Sequence, residues 1–244
     1  MTQYTTAGSR ILIVGGSSGM GLALADRCLE DGAEVIIVGR NPGKLDDAQR
    51  GLQSGQAQTI VADITREDDV AGLFRHAGRI DHIVSTAADI DGAYDLLPAL
   101  DLDKARRAVD SKLFGPLLLA KYGAPVLSPG GSITFTSGVA AYRPMARGSV
   151  VAAVNAALEG LVRALAVELA PIRVNAVSPG WVDTPIWAHV AGDRKAEVLD
   201  AMANRLPVGR IGQPADIADA IRFLIGNGFT TGTVLHVEGG HRLV

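Results

Sequence analysis

Ile11-Leu12-Ile13-Val14-Gly15-Gly16-Ser17-Ser18-Gly19-Met20-Gly21 is the stretch that decides the fold. Its opening apolar run, rich in β-branched residues, reads as a short strand buried on both faces. A glycine-rich turn follows, and Leu22-Ala23-Leu24-Ala25-Asp26-Arg27-Cys28-Leu29 begins a helix. Strand, glycine turn and helix together present free backbone N–H groups and a positive helix end to a phosphate. Gly15 permits the sharp exit from the strand, Gly19 a close approach to a pyrophosphate, and Gly21 close packing of helix on sheet. Ser17, Ser18 and Met20 complete the loop. The spacing is G-x-x-x-G-x-G, not the commoner G-x-G-x-x-G. The competing reading is a glycine-rich turn that binds nothing.

The 244 residues are 48% hydrophobic and 20% charged, with net charge −3. That suits one α/β domain, residues 1–244, burying about 70–75% of its unfolded surface. The slight acidity offers no footprint for nucleic acid or an anionic membrane. Cys28 is the one cysteine, which excludes an internal disulfide and reads as a core residue in a reducing compartment. Met1 to Ser9 are polar and lack a signal-peptide core. No run is expected to approach the ~18 apolar residues of a membrane span, so the expectation is a cytoplasmic protein.

Outward from the first strand, apolar strand patterns recur at Val35–Val38, Thr59–Ala62, His82–Ser85, Ser132–Thr136, Arg173–Val177 and Val234–Val237, with helical segments between them. This alternation predicts a Rossmann-like, doubly wound parallel sheet with right-handed crossovers and helices on both faces. Asn41-Pro42-Gly43 and Ser128-Pro129-Gly130-Gly131 read as tight turns. Arg40 ends the second strand, nineteen residues after Gly21, where dinucleotide folds discriminate cofactors. With Gly39 beside it and no carboxylate at that position, its fork suits a 2′-phosphate, so NADP(H) is expected over NAD(H). The alternative is a solvated surface arginine. Asp63 ends the third strand in Val61-Ala62-Asp63-Ile64, placed to accept from an adenine amino group. Helix capping competes for this stretch, and there Thr65 is the more natural cap.

At this point the chain resembles the short-chain dehydrogenase/reductase family over nearly its whole length. The carrying residues are Val14 to Gly21, Asp63-Ile64, Gly131-Ser132-Ile133 with Ser137, Arg173 to Gly180, Arg210 to Ala218, and Val237-Glu238-Gly239-Gly240. The resemblance implies a seven-stranded sheet in the order 3-2-1-4-5-6-7 and a nicotinamide cofactor. It implies a homodimer or homotetramer built on long helices around 105–122 and 149–170. It places Ala87, in Ser85-Thr86-Ala87-Ala88, at the cofactor. In Pro179-Gly180-Trp181-Val182-Asp183-Thr184 it places the Val182 N–H and the Thr184 hydroxyl at the carboxamide. Residues 185–207 read as a helical lid supplying substrate contacts. Trp187 and His189 are the lid residues expected to face a ligand, with packing of the lid as the alternative for Trp187. No metal is expected, because His189 has no partner at metal spacing.

The sequence departs from the family where its chemistry is made. The family sets Tyr and Lys four residues apart on one helix, so that the ammonium lowers the tyrosine pKa and the phenol exchanges a proton with substrate. Here Val151 stands at the tyrosine position and Asn155 at the lysine position. Lys112 falls where the family carries asparagine, an exchange that would keep a cation in the site from another helix; independent drift in an idle site is the other reading. Ser137 or Gly138 aligns with the family serine, and Ser137 is chosen because Gly138 has no hydroxyl. Tyr142 is a candidate phenol from a loop, or a packing residue. The sequence thus indicates an NADP(H)-dependent oxidoreductase acting on a small carbonyl or alcohol through non-standard proton-transfer residues. The rival is a catalytically inactive NADP(H)-binding sensor or assembly partner.

Overall fold

Strand β1 (Arg10–Val14) pairs in parallel with β2 (Glu34–Gly39) on one side and β4 (Ile80–Ser85) on the other. Ile11, Leu12 and Ile13 are therefore fully buried, which is why the strand reads as an unbroken apolar run instead of an alternating one. The computed structural model describes residues 4–187 and 192–244; His189 lies outside them. With β3 (Gln58–Val61), β5 (Leu127–Thr136), β6 (Arg173–Pro179) and β7 (Val234–Val237), the sheet is parallel throughout in the order β3-β2-β1-β4-β5-β6-β7. The order reverses between β1 and β4, which opens a crevice at the carboxyl ends of those strands.

Both faces are covered. Helix α1 (Gly19–Glu30) and the helix Pro214–Gly226 pack Leu24, Cys28, Ile217 and Ile221 onto Ile11, Ile13 and Ile37. On the opposite face α3 (Glu67–Ala77), α5 (Gly115–Gly123) and α6 (Ser149–Glu168) pack Phe74, Leu119, Leu158 and Val162 onto Leu12, Ile83 and Phe135. Helix α2 (Pro42–Gly51) follows β2, and α4 (Leu102–Val109) leads into a π-helical turn, Asp110–Phe114, that joins it to α5.

Four local expectations change. Asn41-Pro42-Gly43 opens α2, with Asn41 as the N-cap accepting from the Lys44 N–H, in place of the expected turn. Strand β5 begins at Leu127 and absorbs the expected Ser128–Gly131 turn. The β4–β5 register shifts between Ile80 and His82, and Gly130 passes at φ +81. Thr65 does not cap α3; Arg66 is the N-cap residue. The Thr65 N–H and hydroxyl both donate to Asp63 Oδ1, at 2.9 and 2.8 Å, a local turn that competes with the helix for the same groups. Helix α6 has a mean hydropathy of 1.7 over an 18-residue window, so by length and apolarity it would pass for a membrane span. In the fold its Val154, Leu158, Val162 and Leu165 are buried within the chain.

Asp31, just beyond α1, joins that helix to the last one. It accepts from Arg222 Nη2 at 2.6 Å, from Arg222 Nε at 3.1 Å and from the Thr6 N–H at 3.0 Å. Burial alone would raise its pKa, but the Arg222 and Thr6 donors outweigh it and hold the carboxyl below its usual value. The pair therefore stabilises the fold fully above the unfolded carboxyl pKa of about 3.9, and its contribution is lost as pH falls through the lower native value. Asp31→Asn is expected to cost about 1.5–3 kcal/mol in urea unfolding at pH 7. The gap to wild type should close as the pH is lowered below about 4.

Candidate active site

The glycine turn forms a close-fitting cradle. A β-carbon on Gly15 (φ +81) would sit 2.8 Å from the Ala87 nitrogen, and one on Gly21 would sit 2.4 Å from the Gly15 oxygen. Only glycine lets α1 press this closely on the end of β1. Ser18, the N-cap residue of α1, makes no side-chain capping bond, so its hydroxyl leaves the helix's first N–H groups for another acceptor. Gly19 (φ +53) faces Thr184, whose Cβ would lie 3.4 Å from an added β-carbon. That brings the Pro179–Thr184 loop across from the glycine turn. The loop is fixed from several sides. Gly180 abuts Glu238, and Val182 pairs with Gly212. Asp183 pairs with Lys195 at 2.7 Å, at the start of the helix Lys195–Ala203. Trp187 stacks on Trp181 at 4.4 Å and donates its ring N–H to the Val182 oxygen, so it packs the lid instead of facing open space. Ile64 is 5% exposed, its side chain in the core, which leaves its backbone alone to meet a ligand. The glycine cradle and the uncapped helix end fit the diphosphate of a dinucleotide.

Two expected contacts are already engaged within the chain. Asp63 Oδ1 is taken up by Thr65. Arg40 was expected to face no acid, but Asp89, from the loop after β4, pairs with it, Nη1 to Oδ2, at 2.9 Å. No sequence pattern marks this contact, because Asp89 belongs to a different strand's exit.

The catalytic candidates gather around Ser137 and Gly138 at the end of β5. Lys112, in the π-helical turn, is 6% exposed, not pointing to solvent. Its ammonium donates to the Ser137 carbonyl at 3.3 Å. Burial pushes its pKa down to about 8. Lys112 makes no hydrogen bond to Asn155, whose Oδ1 is buried without a hydrogen-bond partner among the described residues. The Asn155 amide nitrogen instead fills the space beside Gly138, 2.8 Å from where a β-carbon would be. Val151 is 3% exposed, in an apolar nest with Ala93, Ala108 and Tyr94.

Sequence reasoning missed Glu159. One turn beyond Asn155 on α6, it is 4% exposed and accepts from Ser137 Oγ at 2.7 Å and from the Tyr142 hydroxyl. Tyr142 therefore donates its hydrogen bond to Glu159, not into the open site. The Glu159 carboxylate, by that hydrogen bond first and burial second, holds the phenol pKa above its usual value. The available signal was the spacing: Asn155 and Glu159, four apart, share one helix face, and Glu159 is a lone charge in an apolar run. Ser137 thus lies between a buried ammonium on its carbonyl and a buried carboxylate on its hydroxyl. Glu159→Leu, measured by chemical denaturation, should cost about 1–3 kcal/mol, because it leaves the Ser137 hydroxyl only the long 3.4 Å contact to the Asn155 backbone oxygen. Tyr142→Phe should cost less, because Tyr142 is 46% exposed and its hydroxyl can turn to water.

Residues 14–242 match a family profile described as enoyl-(acyl carrier protein) reductase. The chain is 34% identical over 249 residues to the short-chain dehydrogenase/reductase malC of Malbranchea aurantiaca, covering 96% of this chain and 94% of that one. A solved structure described as the MalC reductase/Diels-Alderase superposes with a TM-score of 0.92 over 99% of this chain and 100% of that one. The chain is 35% identical to a cis-4-hydroxycyclohexanecarboxylate dehydrogenase of Sinomonas cyclohexanicum, with 96% of each chain covered. A small-chain dehydrogenase solved in complex with NADPH is 34% identical, with a TM-score of 0.82 over 97% of this chain and 99% of that one. With the parallel seven-stranded sheet and the glycine cradle, these likenesses show that the chain belongs to the short-chain dehydrogenase/reductase family of oxidoreductases.

Proposed function

We propose that this protein is an NADP(H)-dependent oxidoreductase acting on a small carbonyl or alcohol, with Lys112 in place of the family's tyrosine and lysine. Bound in the crevice, a nicotinamide would supply or accept hydride. The observation that carries the reading is the burial of Lys112 against Ser137 at the end of β5. A buried ammonium with one hydrogen-bond partner among the described residues is costly to the fold, and such strain is concentrated at functional sites. An ammonium with a pKa of about 8 is charged at neutral pH and can give a proton to a developing alkoxide. Gly15, Ser17, Ser18, Gly19, Met20 and Gly21 would hold the diphosphate, Arg40 a 2′-phosphate, and Val182 and Thr184 the carboxamide. The NADPH-bound relative supports this assignment of the cofactor.

The test is oxidation of NADPH against a panel of small aldehydes and ketones. Carbonyl reduction is expected to fall as pH rises through about 8, the Lys112 value, and Lys112→Met should abolish it. Turnover unchanged in that variant would remove Lys112 from the chemistry, and wild type that oxidises NADPH with none of the panel would favour the non-catalytic sensor. Stability should move the other way. Between about 8 and the unfolded lysine pKa of about 10.4, the unfolded chain holds a proton that the native one has released. This group therefore makes stability rise with pH across that window. Lys112→Met should accordingly be more thermostable than wild type at pH 7, measured as Tm.

The exposed side of α6 is lined by Ala153, Ala156 and Ala157. On the preceding helices Leu102, Phe114 and Leu117 are 62%, 51% and 40% exposed. These faces support a homodimer or homotetramer, as the family resemblance implies. Sedimentation should give a dimer or larger, and a concentration-independent monomer would refute it.

A further inference from the structure

We propose that Asp89 is a specificity-determining residue, holding Arg40 across the crevice and competing with a 2′-phosphate for it. The proposal rests on the dinucleotide reading above and concerns how strongly NADP(H) is preferred.

Strands β2 and β4 flank β1. Arg40 follows β2 and Asp89 follows β4. Their 2.9 Å contact therefore joins the two strand exits on either side of Gly15, where the chain leaves β1. The acid is the fixed partner. Its side chain is 20% exposed against 56% for Arg40, and its backbone N–H donates to Ser111 Oγ at 2.9 Å. Ser111 is itself 4% exposed, in the π-helical turn. The arginine, long and mostly solvated, comes to the carboxylate.

The two dinucleotides meet this pair differently. A 2′-phosphate on Arg40 brings its negative charge beside the Asp89 carboxylate, and like charges at such range repel. It must also take over a guanidinium that Asp89 already neutralises. A ribose 2′-hydroxyl carries a donor hydrogen, for which a carboxylate is the matching acceptor. Arg40 therefore draws the phosphate in, and Asp89 limits the advantage that NADPH gains over NADH.

Binding can be measured by titrating wild type, Asp89→Asn, Arg40→Ala and the double variant with NADPH and with NADH, following the reduced nicotinamide's fluorescence. Asp89→Asn should tighten NADPH binding about tenfold, as expected for one like-charge contact removed at a partly exposed site. NADH binding should stay within about twofold or weaken, since no phosphate meets the acid there. In the Arg40→Ala background the gain should shrink to about twofold or less, because it acts through that arginine. Asp89→Ser, which also removes the charge, should give the same direction if Asp89→Asn proves unstable. If neutralising Asp89 leaves NADPH binding unchanged or weakens it, the inference is overturned, and Asp89 is a brace for Arg40. Wild type that binds neither dinucleotide would overturn the cofactor reading itself.

Discussion

The approach of α1 to the end of β1 is the constraint on which the rest of the molecule depends. A β-carbon at residue 21 would lie 2.4 Å from the Gly15 oxygen, and one at residue 15 would collide with Ala87. With glycine at both places the helix starts directly off the strand, and the loop after β4 closes against the same turn. That packing places the uncapped helix end in the crevice and puts the exits of β2 and β4 within reach of each other. The sheet order then sets where everything else arrives: Ser137 off β5, and the Pro179–Thr184 loop off β6.

Around Ser137 the chain keeps two opposite charges out of water without letting them touch. Lys112 holds the carbonyl and Glu159 the hydroxyl of one residue. Charges in such surroundings interact more strongly than they would in solvent. Val151, expected at the family's tyrosine position, meanwhile sits in an apolar nest.

The fold was legible because parallel strands covered on both faces leave an unambiguous mark, as at Ile11–Val14 and Val35–Val38. The glycine cradle was legible for the same reason: few residues fit it. Lys112 was legible as a candidate exchange with Asn155, but its partner was not, because the ammonium settles on a backbone carbonyl that no pattern marks. Asp89 and Glu159 stayed hidden for different reasons. The first meets Arg40 only through the side-by-side exits of non-consecutive strands. The second sits in a helix whose apolar periodicity invites a packing interpretation. Thr65 misled because capping and an Asx turn use the same residues, and here the turn prevails.

The π-helical turn Asp110–Phe114, closed by the Gly115 N–H on the Asp110 carbonyl, amounts to one surplus residue in an otherwise α-helical run. Each residue of an α-helix advances the face by about 100°. Excising a single residue here would let the run wind regularly and would swing Lys112 out of register with α5, or α5 out of register with the sheet. Chain length at this point is consequently as tightly specified as side-chain identity. A lineage could exchange the lysine for another long cation more readily than it could shorten the segment that aims it.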